Sequence, residues 1–131
     1  MKPQVQVGDN LKLLEFGPVT TEDFVRWTAA VDDYNPIHYD LEIARNNGLP
    51  NVIMQGPFKL SLMIRAFEEW IGRLGCVSKI SCRYTSLDVP GNVLTLSCTI
   101  TEVSADEITC KWQCTNSKEL ITAAGEAIVQ I

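Results

Sequence analysis

The apolar positions of this 131-residue chain change period twice. Residues 5–16 alternate loosely, as a first strand does, and Gly17-Pro18 ends it. From Thr20 the period becomes helical. Either Thr20 or Thr21 can cap a helix whose first turn holds Glu22 and Asp23, where the helix dipole favours acids. Phe24, Trp27 and Val31 recur at helical spacing and predict one buried stripe. That helix stops near Asp32-Asp33, because Asn35-Pro36 cannot continue it. A short second helix is predicted from an Asp40 cap to Gly48. Leu49-Pro50-Asn51 is then a loop and Val52-Ile53-Met54 a brief apolar bridge.

The third helix opens at Gly56-Pro57, where proline is tolerated at the first helical position, and ends at Gly72. Phe58, Leu60, Leu62, Met63, Ile64, Ala66, Phe67, Trp70 and Ile71 surround most of its axis. Ser61, Arg65, Glu68 and Glu69 share a sector of about 100°. A helix this apolar is buried over most of its circumference. After Gly75 the period drops to two. Residues 76–86 place Cys76, Ile80, Cys82 and Tyr84 on one face. Residues 93–103 do the same with Leu94, Leu96, Cys98 and Ile100, and residues 107–115 with Ile108, Cys110, Trp112 and Cys114. A last strand spans 120–131, and the breaks are Pro90-Gly91-Asn92, Ser104-Ala105-Asp106 and Asn116-Ser117-Lys118. The expected class is α+β in a single domain over 1–131. One strand precedes a long central helix, and four strands follow it as an antiparallel meander, curled around the helix so that both bury their apolar faces. An edge strand and an outer sheet face then need cover, which predicts dimerisation.

Composition narrows the function more than the fold. Hydrophobic residues make up 46% and charged residues 21%, as in ordinary globular proteins. No apolar run approaches the roughly 18 residues of a membrane span. The first residues carry no signal-peptide stretch, so a cytoplasmic setting is expected. A net charge of −5 without a Lys/Arg cluster argues against nucleic acid or an anionic membrane as partner. A small anionic ligand needs only a few local cations, and Lys59, Lys79, Arg83 and Lys111 stay open for that role. Arg65 is placed to pair with Glu69. The five cysteines cannot all pair within one chain and show no Cys-x-x-Cys spacing. They read as reduced core thiols, and with one histidine no zinc site is expected. Trp27, Trp70 and Trp112 read as core or interface.

Candidate chemistry concentrates in Asp33-Tyr34-Asn35-Pro36-Ile37-His38. His38 is the only histidine, five positions after an acid, across an Asn-Pro turn that fixes the local backbone. An imidazole and a carboxylate converging on one pocket are the minimum for moving a proton to and from a small substrate.

This hexapeptide, followed by Asp40, Ala44, Gly48-Leu49-Pro50, Gln55-Gly56-Pro57 and Ser61, resembles the MaoC-like dehydratases, or (R)-specific enoyl-CoA hydratases, which have the hot-dog fold. Val89-Pro90-Gly91-Asn92 also looks like the family's turn between strands. The resemblance implies that Asp33 and His38 activate a water for addition across the 2,3 double bond of an enoyl thioester. One member of the pair takes the water's proton, and the pair delivers a proton to the α-carbon. Asn35 would position the water or His38. The Gly56 N–H would hold the thioester carbonyl as charge grows there, as a helix N-terminus is suited to do. Ser61 matches a family serine and either joins the site or bonds a neighbouring backbone carbonyl. Gln55 can donate a hydrogen bond but cannot titrate. No cofactor is implied beyond the CoA or phosphopantetheine arm of the substrate. The implied assembly is a homodimer or a pair with a second MaoC-like chain.

Departures from the family pattern are Asp32, where glycine commonly precedes the acid, and Gln55-Gly56-Pro57, where His-Gly-Met is common. Pro57 has no N–H, so only Gly56 can donate there. The alternatives are a catalytic subunit of a mixed MaoC-type pair acting on a bulky acyl-CoA, a 3-hydroxyacyl carrier-protein dehydratase, and a hot-dog thioesterase.

Overall fold

The computed structural model describes residues 2–73 and 75–131. Gly8, at φ +95°, turns the chain before strand β1 (Asn10–Phe16), which is why the strand is shorter than the alternation from residue 5 suggests. Thr20 caps helix α1 (Thr21–Val31). Its hydroxyl accepts from the Asp23 N–H (3.1 Å), and the Asp23 carboxylate accepts the Thr20 N–H (2.8 Å), a reciprocal capping box. Phe24 and Thr28 form the buried stripe of α1, and half-buried Trp27 stacks on Phe58 at 4.9 Å. Val31 does not join that stripe. It is 46% exposed, because it ends the helix and the chain turns away at Asp32. A single 3-10 turn, Pro36–His38, leads to α2 (Leu41–Asn46), which Asp40 caps by accepting from the Ile43 N–H at 3.1 Å.

The central helix α3 (Gly56–Ile71) forms as its sequence predicts. It buries Leu62, Met63, Ala66, Phe67 and Ile71, and Arg65 pairs with Glu69 at 2.7 Å on the exposed side. Lys59 also lies on the buried face.

Five strands follow: β2 (Cys76–Ile80), β3 (Arg83–Tyr84), β4 (Leu94–Val103), β5 (Glu107–Thr115) and β6 (Ile121–Gln130). They join β1 in one antiparallel sheet of order β1-β4-β5-β6-β2, with β3 also on β6. The meander is therefore only β4-β5-β6. The segment 76–86 is not one strand beside β4 but two short strands on the opposite edge. Ser81 separates them, its carbonyl accepting from the Trp112 indole at 3.0 Å. A register shift between Val77 and Lys79 also breaks the alternation, so half-buried Val77 packs against the core and Cys76 is exposed. Helix α3 packs against β1, β4, β6 and β2, from one edge of the sheet to the other. The core lies between them, and its sheet side is Leu94, Leu96, Cys98, Ile100, Ile108, Cys110, Trp112, Cys114, Ala123, Ala127 and Val129. Cys98, Cys110 and Cys114 are free thiols inside it, and Cys82 is half-buried. No helix among the described residues is long and apolar enough to cross a membrane.

Candidate active site

The segment between α1 and α3 is an excursion from the sheet whose backbone is tied at each step. Asp32 closes α1 in the left-handed conformation (φ 59°, ψ 33°) and turns the chain toward Asp33. The Asn35 N–H donates to Asp33 Oδ1 (3.2 Å), and Asn35 Oδ1 accepts from the Ile37 N–H (3.3 Å). Asn35 thus builds the turn that carries His38, as an Asx residue before proline does. The Tyr39 hydroxyl donates to the Tyr34 carbonyl (2.8 Å) and closes the loop from outside.

His38 is 8% exposed, and its Nδ1 lies 2.7 Å from the Ile53 carbonyl oxygen. A carbonyl only accepts, so Nδ1 carries the proton and the neutral ring keeps its lone pair on Nε2. Nε2 stands 3.9 Å from Asp33 Oδ2, too far for a direct hydrogen bond. The Asp33 side chain is 46% exposed, so this side of the imidazole opens to solvent. The Ile53 N–H donates in turn to the Ile37 carbonyl (3.2 Å). The histidine therefore hangs on the strand of chain that leads, three residues later, into Gly56 and the first turn of α3.

The other expected residues divide. Gly56 begins α3, and no side chain caps its first turn. Its amide keeps the free-donor character of helix N-termini. Gln55 is turned away into α1, where its Nε2 donates to the Phe24 carbonyl (2.9 Å) and Thr28 Oγ1 (3.2 Å). It acts as a strut between the helix that leads to Asp33 and the helix that begins at Gly56, with Oε1 buried and unpartnered. The Ser61 hydroxyl donates to the Phe58 carbonyl in its own helix (2.7 Å), the bland alternative for that residue.

Two groups stand beside the site in roles the sequence did not give them; Lys59, held open above for an anionic ligand, is one. Lys59 is 2% exposed and cannot serve a soluble phosphate. Its Nζ lies 3.1 Å from Asp88 Oδ2 and donates to the Ser86 and Thr122 carbonyls at 3.2 Å each. Asn92 and Asn116 donate to the other Asp88 oxygen, at 3.3 and 3.2 Å. The Asp88 carbonyl accepts from the Met54 N–H at 2.9 Å, so the network holds the entry to α3. The signal for it is Lys59 itself, a charge one turn before Leu62 and Met63 on an otherwise apolar face. The second group is Tyr84, whose ring lies against Gly56. Its phenol is pushed up to about 12, chiefly by burial and then by the neighbouring Cys82.

The MaoC like domain model matches residues 4–123. No curated protein sequence matches the chain. Among solved structures, it superposes on a chain of the ChsH1-ChsH2 complex from Mycobacterium tuberculosis with a TM-score of 0.87 and 20% identity, over 98% of this chain and 99% of that one. The (R)-hydratase from A. caviae involved in PHA biosynthesis gives 0.87 and 19%, over 97% of both chains. The HadBC 3R-hydroxyacyl-ACP dehydratase complex from Mycobacterium tuberculosis gives 0.75 and 16%, over 98% and 99%. At these identities the likeness is one of fold, the hot-dog fold of one sheet around one central helix. The family model, covering nearly the whole chain, carries more: this chain belongs to the MaoC-like dehydratase family.

Proposed function

We propose that this protein is a hydro-lyase that adds water to, or removes it from, the 2,3 bond of an enoyl thioester. The observation that carries the proposal is the anchored imidazole. With Nδ1 held by the Ile53 carbonyl, the basic nitrogen faces Asp33 across 3.9 Å. A water about 2.8 Å from each partner fits that separation. As its oxygen attacks C3, one proton passes to the Asp33–His38 pair, and the pair returns a proton to C2. Charge gathers meanwhile on the thioester oxygen, where the Gly56 N–H donates and the α3 N-terminus adds its dipole. The thioester carbonyl acidifies C2, so the reaction uses no metal or redox cofactor. Asn35 contributes the turn. CoA or a carrier protein's phosphopantetheine arm bears the acyl group.

The protein works as a dimer, either of itself or with a second MaoC-like chain. Leu87, Leu120 and Ile121 are exposed after β3 and at the start of β6, an edge that a partner would cover. Two of the structural relatives are two-protein complexes by name, ChsH1-ChsH2 and HadBC.

The test is to mix purified protein with short and long trans-2-enoyl-CoA, following the conjugated enoyl absorbance and free thiol together. Absorbance loss without thiol release is expected. Thiol release would make the protein a thioesterase, and silence in both signals with every acyl group would sink the proposal for the isolated chain. Asp33→Asn and His38→Gln should each lower turnover about 100- to 10,000-fold with the melting temperature unchanged. A near-normal rate in either folded variant removes that residue from the mechanism.

A further inference from the structure

Gly56 has a second reason to be glycine. Its backbone is not left-handed, yet a Cβ there would lie 2.9 Å from Cε2 and Cζ of Tyr84, closer than carbon atoms approach without something moving. The Tyr84 ring therefore excludes a side chain at Gly56. The backbone that carries the ring is fixed. Tyr84 pairs with Ala123 of β6, and the next residue, Thr85, donates its N–H to the Thr122 carbonyl (3.0 Å) and its hydroxyl to the Ile121 carbonyl (2.7 Å). Lys59 Nζ stands 5.9 Å from the ring centroid, itself fixed by Asp88. Even so, Tyr84 is 47% exposed, so part of the ring faces solvent next to the Gly56 amide.

We propose that Tyr84 is a specificity-determining residue of the thioester site, its ring forming the wall along which the acyl thioester lies when its carbonyl meets the Gly56 N–H. This rests on Gly56 being the carbonyl donor. A flat ring standing against Gly56 limits the room beside that amide, so it selects among acyl groups by their bulk near the thioester.

The experiment compares wild type with Tyr84→Phe, Tyr84→Ala, Gly56→Ala and the Gly56→Ala/Tyr84→Ala pair, on enoyl-CoA substrates that are linear or branched near the thioester. Tyr84→Phe should keep the wild-type ranking of substrates. Tyr84→Ala should shift the ratio of kcat/KM between branched and linear substrates by about tenfold or more. Gly56→Ala should lose roughly 100-fold in kcat, and adding Tyr84→Ala should restore at least about tenfold of that by freeing the space. An unchanged ranking in Tyr84→Ala, or a double variant no better than Gly56→Ala, overturns the inference. So does a Tyr84→Ala change confined to dimer mass, which would make the ring an interface residue alone. Wild-type inactivity on every thioester would instead count against the proposed reaction. Tyr84 is then read from the affinity of saturated acyl-CoA by calorimetry, and equal affinity in wild type and Tyr84→Ala overturns its role.

Discussion

Asp32 sits at φ 59°, a conformation that costs most side chains about 1–2 kcal/mol and glycine almost nothing. The end of α1 thus sets a backbone requirement that glycine meets most easily, and aspartate is among the side chains that tolerate it. Asp32→Gly should match or exceed wild-type stability, while Asp32→Ala should lose about 1 kcal/mol, both read from urea denaturation midpoints. Lys59 and Asp88 make a different residue-scale prediction. Lys59→Met strands the buried Asp88 carboxylate and should cost about 3–5 kcal/mol, whereas Lys59→Met/Asp88→Leu should recover much of the loss. A single variant as stable as wild type would mean the pair is not the buried network described. The Asp33–His38 element was legible in the sequence because it is local, a turn of six residues set by Asn35-Pro36. The partner that orients the imidazole, the Ile53 carbonyl, was not, because that bond spans fifteen positions and exists only once the loop has folded back. Gln55 and Ser61 fit the motif by position, yet their hydrogen bonds run into the scaffold.

The helices carry their own punctuation. Thr20, Asp40 and Gly72 stand at the boundaries their chemistry dictates. Thr20→Ala removes the hydroxyl half of the α1 capping box and should cost about 1 kcal/mol by thermal or urea melting, with Thr20→Asn recovering most of it. No loss in Thr20→Ala would show that the Asp23 half suffices alone. Strands were less legible at the edge than at the centre. In β4 and β5, flanked on both sides, alternation alone identified the core face. In β2 the register shift after Val77 inverts it, and the sequence holds no sign of an irregularity that depends on the pairing strand. Nor could alternation say that residues 76–84 pair with β6, since every antiparallel order satisfies the same pattern.

At the scale of the whole molecule, the core thiols couple stability to pH. Burial, the largest cause, pushes Cys114 from 9.0 up to about 11. The folded state therefore holds a proton that the unfolded chain releases. Stability from this group is fully present below pH 9 and declines as pH rises through about 11. Urea midpoints measured from pH 8 to 11 should fall, and Cys114→Val should flatten part of that slope; an identical slope would remove Cys114 as a cause. The order β1-β4-β5-β6-β2 has a further consequence, for synthesis. β1 pairs Asn10 with Thr99, so everything from Gly17 to Val93, including α1, the Asp33–His38 turn and α3, lies in the loop that this one pairing closes. Contacts this distant in sequence are slow to form. On the ribosome the Asp33–His38 segment is made first, and the apolar helix behind it emerges before β4, β5 and β6 exist to cover it. The nascent chain thus carries its most adhesive surface exposed while the second half is translated, and the site takes shape only when the last strands arrive.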